Sequence, residues 1–138
     1  ELVLRPYLKK SGILDAITGE CLIIPVPLHP KKERARGFNQ SLLIAKTFRD
    51  SLEIPIPLAS RTLIKIKNTP PQAELKKSEK RKENVQECFI VKNPSEVKGK
   101  NIILIDDVFT SGATINEAVK VLKQAGVKGV LALVLAKT

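Results

Sequence analysis

The chain has 138 residues, 43% of them apolar and 28% charged, enough for one domain with a single core of a few strands and helices. No apolar run approaches the roughly 20 residues that a membrane helix needs, so no membrane insertion is expected. Lysine and arginine number 24 against 14 aspartate and glutamate, a formal charge of +10, which favours polyanionic partners: nucleic acid or multiply phosphorylated small molecules.

Four Phe, one Tyr and no Trp argue against an aromatic platform for stacking bases. With one histidine in the chain, no zinc site of ordinary spacing can be assembled. Cys21 and Cys88 each lie beside apolar residues and read as buried, reduced thiols of a cytoplasmic protein.

In chain order, residues 1–20 suggest one or two helical turns interrupted by Pro6 and Gly12. The start is mid-helix in character and reads as the remnant of a shortened region. Cys21–Val26 is an apolar, β-branched run that ends in prolines, a buried strand. Residues 27–38 form a basic loop, since Pro25, Pro27 and Pro30 argue against a regular helix. From Asn39 to Leu52, apolar positions 42, 43, 45, 48 and 52 give an amphipathic helix.

Residues 52–58 are extended and Pro-punctuated, and 62–67 alternate apolar with basic as a strand does. The next 17 residues, 68–84, carry eight charges, two adjacent prolines and no apolar face. A loop of that length within a domain is usually functional or disordered. Residues 87–91 resume a strand, and 97–100 make a turn. Asn101–Asp106 is the clearest buried strand. Ala113–Ala125 is a helix stopped by Gly126, and residues 127–136 are apolar enough for a central strand. Strand–helix–strand at this spacing is a βαβ unit, so a mostly parallel sheet with helices on both faces is expected.

In such a sheet ligands sit beyond the carboxyl ends of the strands. There the chain reads Asp106-Asp107-Val108-Phe109-Thr110-Ser111-Gly112-Ala113-Thr114. The second half suits a phosphate monoester. Gly112 and Ala113 allow close backbone approach, Thr110, Ser111 and Thr114 supply hydroxyls, and the first N–H groups of the helix are unpaired. The spacing and lysine of a Walker A loop are absent. Two aspartates would repel that phosphate, so they belong to another part of the ligand, a sugar diol or a divalent cation. Ribose 5-phosphate or its 1-pyrophosphate carries both features one ring apart.

Residues 102–114 also resemble, position by position, the phosphoribosyl pyrophosphate signature of type I phosphoribosyltransferases. Residues 25–40 and 68–75, with Arg81–Val85, resemble two further motifs of the ComF family of competence-associated, phosphoribosyltransferase-like proteins. The resemblance runs from about Cys21 to the end. It implies the type I phosphoribosyltransferase fold over 21–138, with a flexible loop at 68–84. The zinc-ribbon-like segment that family members commonly carry at the N-terminus is not in this sequence.

By position, the resemblance implies that Asp106 and Asp107 contact the ribose hydroxyls, directly or through Mg²⁺, and that Thr110, Ser111, Gly112, Ala113 and Thr114 cradle the 5-phosphate. It gives the pyrophosphate to the loop after the first strand, with Lys31, Lys32, Arg34, Arg36 and Gly37 as candidates. Gln72, Arg81 and Asn84 are candidates in the flexible loop. Arg81 and Asn84 read equally as a solvated turn, and Lys76, Lys77, Lys80 and Lys82 as a solvated charged face. His29, the only imidazole, is the candidate general base; a hydrogen-bonding or packing role between its two prolines is the alternative.

Two functions fit. One is Mg²⁺-dependent transfer of the phosphoribosyl group from phosphoribosyl pyrophosphate to a nucleophile that the sequence does not name. The other is a non-catalytic module that senses a 5-phosphoribosyl nucleotide and binds single-stranded DNA through its basic surface. A homodimer and proteins of the competence machinery are the further partners the resemblance implies.

Overall fold

The computed structural model describes residues 19–69, 86–109 and 111–137. The expected N-terminal turns, most of the 68–84 loop with Gln72, Arg81 and Asn84, and Thr110 lie outside the described residues.

A three-stranded parallel sheet forms the centre, with β1 (Cys21–Pro25), β4 (Asn101–Phe109) and β5 (Gly129–Lys137) in the order β1-β4-β5. Between β1 and β4 the chain forms α1 (Pro30–Arg36), α2 (Gln40–Ser51), and a separate antiparallel pair, β2 (Leu63–Lys65) with β3 (Phe89–Val91). Helix α3 (Ala113–Gln124) is the crossover from β4 to β5. Outside β1, the extended stretch at Leu58 adds a parallel bridge to Ile23, through Ile23 N–H to Pro57 O at 2.8 Å and Ala59 N–H to Ile23 O at 2.8 Å.

Strand β4 is apolar at successive positions because it is covered on both sides. Ile102 and Leu104 pack with Ile115, Ala118 and Leu122 of α3, together with Leu63, Cys88, Phe89 and Val97. Ile103 and Ile105 point the other way, to Ala45 and Phe48 of α2 and to Ile23. Alternation along a strand sends neighbours to opposite faces, so this four-residue apolar run presents two residues to each face and needs cover on both. The expected arrangement, helices on both faces of a parallel sheet, is therefore present.

Two expectations need correction. Residues 30–36 are helical, not a loop. Pro30 stands in the first turn, where a missing N–H breaks no helical bond and a fixed φ is already suitable. His29 is the cap, its Nδ1 accepting from Lys31 N–H at 3.2 Å, and Gly37 ends the helix at φ +88°. Strand β5 lies at the edge of the three-stranded sheet rather than its centre. Its later half is exposed, with Leu135 at 62%. Apolar content alone does not separate a central strand from an edge strand that shields a neighbour.

Both cysteines are free thiols, Cys88 buried and Cys21 partly so. Among the described residues no helix is long and apolar enough to cross a membrane.

Candidate functional site

The parallel pairing of β1 with β4 sets the site. Pro25 is opposite Ile105, and Val26 N–H continues the ladder to Ile105 O at 2.8 Å. Past that point the basic stretch with α1 departs from β1, while β4 carries the acidic pair onward, still paired with β5 as far as Phe109, before its loop into α3. This is where a parallel sheet places a ligand.

Asp106 is buried and Asp107 partly so. Each is held by one oxygen: Asp106 Oδ1 accepts from Asp107 N–H at 2.9 Å, and Asp107 Oδ1 accepts from Val108 N–H at 2.9 Å. Asp106 Oδ1 also accepts from Ser41 Oγ at 3.0 Å. Burial pushes the Asp106 carboxyl up to about 7, assisted by a hydrogen bond and repulsion from the Asp107 side chain. The Asp107 N–H and the Ser41 hydroxyl oppose that rise. Two carboxyls this close favour keeping one proton between them, and a divalent cation or a pair of hydroxyls could take that proton's place.

The loop that follows is shaped for close approach. Gly112 is buried, has φ +81° and immediately precedes α3. A glycine cap contributes no side chain to the helix start. Ser111 Oγ accepts from Ala113 N–H at 3.3 Å, and Thr114 sits in the first turn, half-buried. The positive end of α3 and its early N–H groups thus lie a few residues beyond the acidic pair, as an anion site requires. Of the expected phosphate-binding set, Ser111, Gly112, Ala113 and Thr114 are described here; Thr110 is not.

The expected pyrophosphate residues lie on α1. Lys31, Arg34 and Arg36 are exposed and Lys32 is partly buried; no residue of this helix is buried. Gly37 has a clear structural task as the left-handed stop, its N–H bonded to Glu33 O at 2.7 Å. The cap uses His29 Nδ1 as an acceptor, so the ring carries its proton on Nε2.

Three residues that sequence reading left out belong to this edge. Asn39 and Ser41, at the start of α2, are both buried. Asn39 Oδ1 accepts from Ser41 N–H at 3.1 Å, and Asn39 Nδ2 donates to Val26 O at 3.1 Å. The third is Lys65 on β2. Burial pushes its ammonium below the ordinary lysine range; Cys88 opposes this, Lys32 reinforces it and Asp106 opposes it. Lys65 is thus within electrostatic reach of both the acidic pair and α1. A polar residue at a helix start is a local signal for Asn39, whereas no local signal marks Ser41 or Lys65.

Comparison with known proteins agrees with this geometry. Residues 40–138 match the phosphoribosyl transferase domain family, and the chain belongs to that family. Its curated relatives are competence and DNA-utilization proteins. Competence protein ComFC of Bacillus subtilis is 35% identical over 76% of this chain and 39% of its own length. Competence protein F of Haemophilus influenzae is 33% identical over 77% and 45%. DNA utilization protein YhgH of Escherichia coli K12 is 30% identical over 84% and 49%. The chain thus spans less than half the length of these relatives. Among solved structures, a hypoxanthine phosphoribosyltransferase from Staphylococcus aureus superposes with a TM-score of 0.60 at 11% identity, covering 98% of this chain and 63% of that one. A phosphoribosylpyrophosphate synthetase from Mycobacterium smegmatis gives 0.54 at 22% identity, over 98% and 32%. The fold is that of type I phosphoribosyltransferases.

Proposed function

We propose that this site binds a 5-phosphoribosyl group, as phosphoribosyl pyrophosphate with Mg²⁺, and transfers it to a nucleophile. The observation that carries the reading is the pair Asp106 and Asp107. Each is tied through one oxygen to the following backbone N–H, and the glycine-capped start of α3 lies just beyond them. Acidic acceptors and phosphate donors are separated along one short loop, which suits a sugar diol at one end and its 5-phosphate at the other.

Mg²⁺ fits this donor set. It is usually held by one or two carboxylates plus substrate phosphates and water. Among the described residues no cluster of three or more His, Cys, Asp or Glu could hold a metal ion, so the substrate would complete the shell. Bound there, the ion would neutralise charge on the pyrophosphate. In the transfer, a nucleophile bonds to C1 of the ribose while the C1–O bond breaks and the pyrophosphate leaves with the electron pair. The chain's own contribution is orientation of the sugar by Asp106 and Asp107 and charge stabilisation by the lysines and arginines of α1. Capped as it is, His29 offers Nε2–H as a donor to a phosphate oxygen; to act as the candidate base it would have to release Nδ1 from the cap.

Isothermal titration with phosphoribosyl pyrophosphate and Mg²⁺ tests the binding claim. Heat is expected, together with competition by adenosine 5′-monophosphate; no heat and no competition would reject it. Release of pyrophosphate in the presence of candidate nucleophiles tests transfer.

A second reading is favoured by α1, which buries nothing and exposes Lys31, Arg34 and Arg36 beside the exposed Phe38. A phosphoribosyl-sensing module would use such a surface for single-stranded DNA, in keeping with the competence and DNA-utilization names of its relatives. A Thr114→Ala/Asp106→Asn variant separates the two readings. If it loses phosphoribosyl pyrophosphate but keeps DNA binding with a steep salt dependence, two surfaces exist and the module gains.

A further inference from the structure

We propose that Ser41 is a positioning residue for the sugar-diol end of the site: its hydroxyl fixes which oxygen of Asp106 is presented to the ligand. The assignment rests on the phosphoribosyl reading above and deepens it.

Helix α2 has three hydroxyl side chains. Thr47 Oγ1 donates to Leu43 O at 3.1 Å and Ser51 Oγ to Phe48 O at 2.6 Å, both within the helix. Among the described residues Ser41 alone reaches outside, to Asp106 Oδ1 at 3.0 Å across 65 positions of sequence. Both partners are buried, Ser41 at 4% and Asp106 at 7% exposure, so water competes little for either group.

The geometry makes this contact more than packing. The same Oδ1 already accepts from Asp107 N–H. A carboxylate held by one donor can turn about that contact, while a second donor from another element fixes its plane. With Oδ1 occupied twice, Oδ2 is the oxygen that no hydrogen bond among the described residues holds, and the one left to the ligand. Ser41 is itself anchored, because its N–H is held by Asn39, whose amide donates to Val26 O. Val26 N–H in turn bonds Ile105 O, the residue before Asp106. The path Ile105–Val26–Asn39–Ser41–Asp106 therefore closes on itself. It ties the exit of β1, the start of α2 and the middle of β4 into one buried circuit.

The test compares two probes, adenosine 5′-monophosphate and its 2′-deoxy form, titrated into the whole chain as wild type, Ser41→Ala and Ser41→Thr. Wild type is expected to prefer the ribose form. In Ser41→Ala the ribose form should weaken about tenfold, the scale of one lost hydrogen bond, with the deoxy form within about twofold of wild type. Ser41→Thr, which keeps the hydroxyl, should restore the preference. Wild type that binds neither nucleotide sinks the phosphoribosyl reading, and this assignment with it. If wild type prefers ribose and Ser41→Ala keeps the same ratio, or weakens both probes equally, only the positioning role is overturned.

Discussion

The ring of Phe109 lies where any residue other than glycine at position 112 would carry its side chain. A Cβ on Gly112 would stand 2.8 Å from Phe109 Cζ and 3.1 Å from Cε2, and the backbone there has φ +81°. Gly112→Ala thus meets two penalties, a ring that must move and a left-handed conformation that L-residues avoid, together on the order of 1–3 kcal/mol. The first turn of α3 would shift with the loop. Thermal unfolding should show a lowered Tm, and titration with adenosine 5′-monophosphate at least a tenfold loss. A variant with unchanged Tm and affinity would show that close approach at Gly112 has no part in binding.

The acidic pair predicts a pH dependence of opposite sign to the usual one. A carboxyl whose native pKa is raised, as burial raises Asp106 to about 7, binds more protons folded than unfolded between about pH 4 and pH 7. Stability of the ligand-free protein, with divalent ions removed, should therefore fall as pH rises through that window and level off above it. Asp106→Asn removes the ionisation and still accepts from Ser41 and Asp107. It should be more stable than wild type at pH 8, on the order of 1–2 kcal/mol after allowing for local relaxation, while losing Mg²⁺-dependent binding. Urea unfolding at pH 5 and pH 8 measures both slopes; parallel curves for the two proteins would refute the assignment.

What the sequence makes legible here is what local pattern controls. Four apolar residues before Asp106 mean a strand covered on both faces, and α2 and α3 cover it. Gly112 and Gly126 mark a loop and a helix end because left-handed backbone has few other occupants. Proline was a poorer guide, since Pro30 limits α1 only from its N-terminal side and permits the helix after it. Ser41 and Lys65 come to the site through tertiary packing alone. Their sequence neighbours are an ordinary amphipathic helix and an alternating strand, and the β1–β4 pairing and α2 packing that bring Ser41 to Asp106 leave no local trace. The edge position of β5 is hidden for the same reason: strand order is a property of pairing, not of composition.

Asn39 should be intolerant of a change that local rules regard as neutral. Asp caps a helix about as well as Asn, so Asn39→Asp keeps an acceptor for Ser41 N–H. It loses the donor to Val26 O and places a carboxylate, 8% exposed in the parent residue, beside the circuit that holds Asp106. A loss of about 1–3 kcal/mol is expected, larger at pH 8 than at pH 5, because a buried charge is more easily neutralised in acid. Chemical denaturation at both pH values checks it. A variant as stable as wild type would mean that the Asn39–Val26 contact carries no weight.

Lys65 separates stability from binding. Its ammonium is partly buried, held below the ordinary lysine range by that burial, and lies within reach of Lys32 on one side and Asp106 on the other. A half-buried cation that forms no ion pair among the described residues is a burden to the empty protein and an asset once a polyanion enters. Lys65→Met keeps most of the apolar stem and removes the charge, so Tm should stay the same or rise by a few degrees. The affinity for phosphoribosyl pyrophosphate should fall by about tenfold or more, against about twofold or less for adenosine 5′-monophosphate, which lacks the pyrophosphate. Titration of both ligands into both proteins reads the difference. Equal losses would place Lys65 at the 5-phosphate or in the framework, and no loss would remove it from the site.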